Sequence, residues 1–600
     1  MKVVNVMYDT LCRHFLSPYG NKKVKTPNFD RLAANAVTFD NSYVCSLPCM
    51  PARRDLHNSR VNFLQRDWGP LEPFDDSVPE ILKTNGIFSA LVSDHAHYWE
   101  DGGATYHTRY SSWIGHRGQE GDACNNDSRF ISACQKVGKN CLDPRYWSQM
   151  TRICDAVNRE NAPTDDLMPQ GRTFADGLKF INDNHDIDNW FLQIETFDPH
   201  EPFFTHENWK ELYPEIAEYA GNKTDWPGYE AVGKNETPED IMHVRYLYAA
   251  LVSMCDHYLG KVLDLFDKYD LWKDTMLIVN TDHGFLLGEH EWWGKSIMPA
   301  YEEISHTPLF IYDPVSKIKG KRRDGLVSTI DIPTTILDFF GIDKTPDMQG
   351  NSVLPLIREN KKIRDRVIFG FNRAHVAVTD GKYTYFRAPL VKEEKNCFEY
   401  TLMPTRMRMR FDVKTLAKAE FVGPLPFTKG CKVLKTPAPG NYVSSVNFGT
   451  KLFDVENDPR QKELIDNPEL EAKYANMLVE EMKKAQAPEE QYVRLGLKKE
   501  GGMTAKDILD AREEDVVADT PAFIDKATWT KEARNVWRGF AKMLPKEALS
   551  AAQNIVCGVV AKKAAKIVDV EDVVEAVKLI TPKEQLAQSL YFIRTIARSE

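Results

Sequence analysis

The chain lacks the marks of several protein classes. No apolar run in its 600 residues is long enough to span a bilayer; the apolar stretch 555–561 is cut short by Lys562 and Lys563. No basic and then apolar leader with a small-residue cleavage site comes first: the sequence opens Met1-Lys2-Val3-Val4-Asn5-Val6-Met7 and reaches Asp9 at once. Positive charge is not in excess. The formal net charge is -10, so nothing electrostatic calls for nucleic acid. The short basic run Arg406-Met407-Arg408-Met409-Arg410 reads as a solvated edge. The cysteines number eleven, an odd and scattered set. Such a set is not a disulfide framework and points to a reducing compartment. A cytoplasmic location, with no membrane partner, is the resulting expectation. No internal repeat is visible.

What remains is an ordinary globular composition, with 42% hydrophobic and 27% charged residues. The length exceeds what one small core organises, so one large domain with appended parts is expected. The hydrophobic pattern predicts strands over 2–7, 36–39, 87–92, 190–195, 275–280 and 307–312. It predicts helices over 27–35 with Thr26 as cap, over 78–85 stopped by Gly86, and over 174–184 and 331–340. A longer helix from 243 to about 269 carries Leu247, Leu251, Met254, Tyr258, Val262 and Leu265 on one side. Residues 100–170 show no sustained period and read as a long insertion. Within it Arg117–Asp122 is either a substrate wall or, by preference, a loop held by its own ion pairs. Strand-like pieces follow at 366–371, 382–386 and 451–455, then a helix to about 484 and a linker near 487. Further helical stretches lie at 533–543, 548–565, 570–579 and 582–597.

Several strand ends carry chemistry. Asp9 and Thr10 follow the first strand, at the carboxyl end where ligands gather in open α/β sheets. Asp94, His95 and His97 follow the strand at 87–92. His200 follows the strand at 190–195, held between Pro199 and Pro202. Asp282 and His283 follow the strand at 275–280, adjacent oxygen and nitrogen ligands aimed at one point, with Gly284 permitting a sharp turn; Lys295 comes soon after. Taken singly, such an aspartate is most often a cap and such a histidine a polar surface group. Early in the chain stands Ser46-Leu47-Pro48-Cys49-Met50-Pro51-Ala52-Arg53-Arg54. Pro51 suits a first helical turn, whose free N–H groups and dipole seat an anion. Arg53, four residues after Cys49, shares its helix face and can fork onto a tetrahedral oxyanion.

The pentapeptide Cys49-Met50-Pro51-Ala52-Arg53 resembles the modification motif of type I sulfatases, in the alkaline-phosphatase superfamily. The opening Asp9-Thr10-Leu11, the stretch Thr26 to Ala33 and the block Asp282-His283-Gly284 share the likeness, which holds to about residue 355. It implies an α/β fold, a large mixed sheet sandwiched by helices over 1–370, with a smaller C-terminal α+β subdomain over 371–490. The all-α appendage at 500–600 lies outside it, and homo-oligomerisation is its expected role. The resemblance implies that Cys49 is oxidised to formylglycine by a formylglycine-generating or anaerobic sulfatase-maturating enzyme. It implies one divalent metal on Asp9, Asp282, His283 and residue 49, with Thr10 as a further candidate. Arg53 would neutralise the anion, His95 or His97 would bind it, and His200 and Lys295 would bracket the departing oxygen.

The chain departs from the family pattern in two places. Asp94 stands near the position of a sulfate-binding lysine. The ligand pairs are Asp-Thr and Asp-His, where many sulfatases have paired acids and an acid-amide pair. Oxygen-only sites suit calcium, whereas a histidine admits manganese, so both metals stay open. The leading reading is a formylglycine sulfatase acting on a sulfate monoester. The rival is a phosphonate monoester or phosphodiester hydrolase of the same superfamily, whose Cys-x-Pro-Ala-Arg and Asp-His-Gly forms resemble these residues. A third reading is a catalytically silent binder of sulfated glycans. The alcohol half of the ester has no motif; a sugar, an aryl alcohol and a choline-like head are all open.

Overall fold

The computed structural model describes residues 1–122, 132, 147–221, 224–233, 235–390, 393, 395–439, 445–519, 528–543, 552, 555–556, 559, 567–581, 586 and 589–590. Its main sheet comprises β1 (Lys2–Tyr8), β2 (Val37–Phe39), β3 (Phe88–Ser93), β4 (Ser112–Gly115), β5 (Trp190–Thr196), β6 (Thr275–Thr281), β7 (Leu309–Tyr312) and β8 (Lys321–Arg323). The eight strands run in the order β8-β2-β7-β6-β1-β5-β3-β4. All pairs are parallel except the two made by β7, so the sheet is mixed and its centre is parallel.

The principal helices are α1 (Pro27–Asn35), α2 (Cys49–Asn58), α3 (Pro169–Asn184), α4 (Pro238–Lys268) and α5 (Pro468–Lys484). Strand β1 is buried along its whole length, which is why it reads as a continuous apolar run. Its alternate side chains feed two cores. Val4, Val6 and Tyr8 pack with residues of α1, α3 and α4. Val3 joins Phe191, Met276 and Ile278 against Met50 of α2 and Ile336 of the helix Asp331–Phe339. The result is a sheet sandwiched between two helical layers.

A second sheet is built from β9 (Val367–Phe371), β10 (Val376–Thr379), β11 (Tyr383–Arg387) and β12 (Lys451–Asp454), all antiparallel neighbours. It takes Ser46–Leu47 as a parallel edge strand, with Gly370 opposite Ser46 and Phe371 opposite Leu47. The segment near 487 is not a linker. Ala485, Ala487, Tyr492 and Leu495 are buried in one core with α5, because alanines that look linker-like in sequence let the chain press against the helix. The helix Ala505–Asp519 packs on α5 through Ile508. Helices Lys531–Met543 and Val570–Ile580 enclose a separate core with Trp529, Trp537 and Phe540. Those expected over 548–565 and 582–597 fall mostly outside the described residues. The insertion is less irregular than expected, since Trp147–Glu160 is helical, with Cys154 and Val157 turned inward. Arg117 does pair with Asp122. Among the described residues no helix is long and apolar enough to cross a membrane.

The cap of α1 comes from elsewhere than its own sequence. Thr26 makes no capping bond; its hydroxyl accepts from Ser17 N at 3.1 Å instead. The backbone N–H groups of Asn28 and Phe29 donate to Asp256 of α4 at 3.1 and 2.8 Å, and Asn28 Nδ2 adds a bond at 2.9 Å. A carboxylate there satisfies orphan donors and meets the positive end of the helix dipole. Asp256→Ala should therefore cost about 2–3 kcal/mol, the scale of hydrogen bonds to a charged group. It should lower the urea midpoint of the α/β core, followed by tryptophan fluorescence, with Asp256→Asn losing less. An unchanged midpoint would show that α1 does not depend on this contact.

Candidate active site

The register of the central strands builds the site. Tyr8 lies opposite both Thr196 and Thr281, so Asp9 and Asp282, the next residues, emerge side by side at the carboxyl ends of β1 and β6. The Thr281 hydroxyl ties them, donating to Tyr8 O at 2.7 Å and accepting from Leu11 N at 3.0 Å. Thr10 takes a left-handed φ of 65°, which for a β-branched residue costs on the order of 1–3 kcal/mol. Its N–H donates to Asp282 Oδ1 at 3.0 Å and its hydroxyl to Asp9 Oδ1 at 2.6 Å. Lys295 Nζ donates to the same hydroxyl at 2.9 Å. Engaged on both sides, Thr10 braces Asp9.

Helix α2 begins at Cys49, with Pro48 as its cap, two residues earlier than a start at Pro51 would give. Cys49 Sγ lies 3.3 Å from His283 Nε2 and 3.8 Å from Asp9 Oδ1. Burial, reinforced by Asp9, pushes the thiol well above its ordinary range, so it is held protonated and is a poor nucleophile as it stands. Donor atoms of Asp9, Cys49, Asp282 and His283 all lie within 4.8 Å of one another, every residue buried. His283 Nδ1 is 2.9 Å from Gly284 O. That contact makes Nδ1 the N–H and leaves Nε2 as the lone pair facing Cys49. Burial, with Lys295 nearby, lowers the imidazole to about 3 and keeps it neutral. Burial and the facing Asp9 push Asp282 up to about 7. Burial opposes ionisation of Asp9 as well, but Arg53 and Lys295 outweigh it and hold that carboxyl well below its usual range. Two carboxylates, a neutral imidazole and a donor from residue 49 fit a divalent cation.

Arg53 does not fork outward as its helix position suggests. Nη1 donates to Asp282 Oδ2 at 2.7 Å and to Cys49 O at 3.0 Å, Nε donates to Glu195 Oε1 at 2.7 Å, and Nη2 lies 3.0 Å from Asp9 Oδ2. The guanidinium is committed to three carboxylates, so its charge rather than a bidentate grip reaches any bound anion. Glu195 escaped the sequence reading. It is 1% exposed, and its other oxygen accepts from Tyr98 OH at 2.9 Å. A signal existed: Gln193 and Glu195 alternate within the otherwise apolar strand β5.

Both ring nitrogens of His95 are buried without a hydrogen-bond partner, and Nδ1 is 4.0 Å from Asp9 Oδ2. Burial and Arg53 keep this ring neutral, well below the ordinary histidine value. His97 lies one ring further out, edge-on to His95 at 5.0 Å, with Nδ1 2.7 Å from Glu100 Oε2. Of the two candidates, then, the structure brings His95 to the centre. Asp94 is turned beneath it, accepting from Phe197 N at 2.7 Å. His200 Nδ1 is 2.6 Å from Glu201 O and its ring lies against Phe197. Lys295 Nζ is 3.8 Å from Asp9 Oδ1 and 4.0 Å from Glu201 Oε2. Burial opposes its charge, but Glu201 and Asp9 raise its pKa, so it stays an ammonium.

The run Arg406 to Arg410 is a solvated edge only in part: Met409 and Arg410 are exposed, whereas Met407 turns inward. Met407 is 1% exposed; its N–H donates to Trp68 O at 3.1 Å and its carbonyl accepts from Gly102 N at 2.8 Å. A Cβ on Gly102 would stand 2.5 Å from Arg406 O, so only glycine admits this approach. Arg408 Nη2 then reaches within 3.4 Å of His97 Nε2, its guanidinium over the Trp68 ring. Burial and Glu201 push Glu120 up to about 8, with Arg408, Lys295 and Asp9 also within electrostatic reach. These residues wall the site beyond His95.

A family model described as sulfatase matches residues 2–342, more than half of the chain. An arylsulfatase of Clostridium perfringens (strain 13 / Type A) is 23% identical over 427 residues, spanning 64% of this chain and 85% of the relative. The structure of BT4656 in complex with its substrate D-glucosamine-2-N,6-O-disulfate matches with a TM-score of 0.55 at 13% identity, covering 81% of this chain and 98% of that one. A phosphonate monoester hydrolase of Agrobacterium radiobacter matches with a TM-score of 0.52 at 17% identity, covering 86% and 96%. With its catalytic constellation set at the ends of β1, β3, β5 and β6 and the family match spanning all four, the chain belongs to the sulfatase family of the alkaline-phosphatase superfamily and is a sulfuric ester hydrolase.

Proposed function

We propose that the chain hydrolyses a sulfate monoester, with a sugar sulfate as the favoured class, using a formylglycine hydrate made from Cys49. The observation that carries this reading is the meeting of Cys49, Asp9, Asp282 and His283 within 4.8 Å. The thiol is buried and held protonated, so oxidation to the aldehyde by a maturating enzyme is what turns residue 49 into a nucleophile. The hydrate supplies two hydroxyls on one carbon, one to attack sulfur and one to re-form the aldehyde and expel sulfate. A divalent metal on Asp9, Asp282, His283 and residue 49 would lower the hydrate pKa and draw charge off the sulfuryl oxygens. Calcium and manganese both qualify, and the imidazole donor favours manganese. The disulfated glucosamine that BT4656 takes as substrate supports the choice of a sugar. The seven described cysteines are free thiols, in keeping with a cytoplasmic setting.

The remaining roles follow from hydrogen bonding. Arg53 balances the carboxylates beneath the reacting group. His95, neutral and with no protein partner, has one N–H to give a sulfuryl oxygen. His200 spends its Nδ1–H on Glu201 O, so its Nε2 is an acceptor. The proton for the departing oxygen is then left to Lys295. As the sulfur–oxygen bond to the alcohol breaks, its electron pair passes to that oxygen, which takes the proton from Nζ.

Phosphonate monoester or phosphodiester hydrolysis is the second reading, favoured by the Asp-His donor pair. The silent-binder reading would need a broken donor set, and the four donors stand together.

Cys49→Ala should abolish turnover with an unchanged circular dichroism spectrum; residual activity would remove the nucleophile assignment. In protein from a host able to modify it, mass analysis of the peptide containing residue 49 should show an aldehyde, and an active enzyme with an intact thiol would refute formylglycine. Asp282→Asn should lower bound metal measured by elemental analysis; unchanged occupancy would move the metal site elsewhere. On leaving-group-matched esters, kcat/KM should be higher for aryl sulfate than for aryl phosphonate or phosphodiester, and the reverse order would establish the second reading.

A further inference from the structure

We propose that Glu201 is a positioning residue whose carboxylate, anchored by Tyr229, holds the Lys295 ammonium in place to protonate the departing alcohol oxygen. The inference deepens the hydrolase reading above and rests on it.

Glu201 follows His200 in the turn beyond β5 and is 2% exposed. Burying a carboxylate costs several kcal/mol unless partners compensate. One partner is the Tyr229 hydroxyl, which donates to Oε1. The other oxygen, Oε2, is buried and accepts no hydrogen bond. It lies 3.3 Å from His200 Nδ1 and 4.0 Å from Lys295 Nζ. His200 already gives that N–H to Glu201 O at 2.6 Å, so the charge left to answer Oε2 is the ammonium. Lys295 donates to the Thr10 hydroxyl at 2.9 Å and faces Asp9 and Glu201 at 3.8 and 4.0 Å. Asp9 also answers Arg53, whereas Lys295 is, among the described residues, the one lysine or arginine within ion-pair distance of Glu201.

Tyr229 is built against the hairpin of Leu286–Leu287 and Trp293–Gly294, which delivers Lys295. Gly294 has φ 102°, and a Cβ there would stand 2.9 Å from the Tyr229 ring. Phe285 packs edge-on to Tyr229 at 5.9 Å, and Lys295 Nζ lies over the Phe285 ring, 6.0 Å from its centroid. The tyrosine, the glutamate and the lysine therefore form one contiguous group.

In the step itself the sulfur–oxygen bond breaks, the pair goes to the alcohol oxygen, and the proton passes from Nζ to that oxygen. Lys295 is left as the neutral amine until water returns a proton, and Glu201 remains a carboxylate throughout. Proton donation matters in proportion to the basicity of the leaving oxygen, and this separates positioning from mere folding.

The test uses the full chain with measured residue-49 aldehyde and metal content. Glu201→Gln, Glu201→Asp and Tyr229→Phe are compared on sulfate esters graded from 4-nitrophenol to an alkyl alcohol, with a matching phosphonate series. Glu201→Gln should lose about 30-fold or more in kcat on the alkyl ester, and under about fivefold on the nitrophenyl ester, given that general acids contribute on the order of 100-fold or more. Glu201→Asp should recover part of the alkyl rate, and Tyr229→Phe should fall between. Equal losses across leaving groups, or none, overturn the proposal; should Glu201→Gln fail to fold, Tyr229→Phe reports the same pattern. Wild-type protein that turns over only phosphonates overturns the sulfatase reading, and Glu201 is then judged on that series. Turnover of neither class sinks both.

Discussion

The site depends on one buried guanidinium. Arg53 is 1% exposed and touches Asp9, Asp282 and Glu195 at once. Those acids stand at the ends of three neighbouring strands, and two of them would repel each other without a cation between. Removing one partner of such a buried pair typically costs about 3–5 kcal/mol, because the survivor is left charged in a poor solvent. The same contact fixes α2, since Nη1 also holds the carbonyl of Cys49 one turn back. Strand register brings the carboxylates together, and Arg53 makes that juxtaposition tolerable.

The nucleophile position is held from behind as well. Ser46–Leu47, immediately upstream, pairs with β9 of the second sheet. Ser46 is gripped by Asp55 of α2, its N–H at 2.5 Å and its hydroxyl at 2.7 Å from the two carboxylate oxygens. Cys49 is therefore clamped between a strand belonging to one sheet and a helix packed on the other. The second sheet is part of what places residue 49, and the site is a product of both layers even though its charged residues come from the first.

Legibility in the sequence followed locality. Strands β1 and β6, the Cys49 turn and the Asp282-His283 pair were readable because each is a short run whose chemistry and periodicity are written in adjacent residues. Glu195 and Glu201 lie within readable stretches, yet their roles come from partners far along the chain, Arg53 and Tyr98 for one and Lys295 and Tyr229 for the other. Thr26 illustrates the same point in reverse: it has a capping residue's chemistry, but Asp256, on a helix distant in sequence, reaches the N-terminus of α1 first. Arg53 shares the face of Cys49 as spacing predicts, but helix spacing fixes a face and not which acids will be waiting there. The Arg406 to Arg410 run is legible only in part for a related reason. A charged run looks solvated until Gly102 permits a backbone approach that no periodicity encodes.

That last contact bears on how the two halves of an ester are read. The sulfuryl half meets groups rooted at strand ends, where register leaves little freedom. The wall beyond His95 is assembled from His97, Glu100, Trp68 and Arg408, supplied by loops and by an insert of the second sheet. Three of its members act on one another before any ligand arrives: Glu100 on His97, Arg408 on both Glu100 and His97. A wall that satisfies its own charges presents direction more than net charge. It adjoins the catalytic centre through the edge-on rings of His95 and His97, and through Tyr98, whose hydroxyl donates to Glu195 beside Arg53. The acids and Arg53 are thereby tied to the sheet, and the wall beyond His95 to the loops.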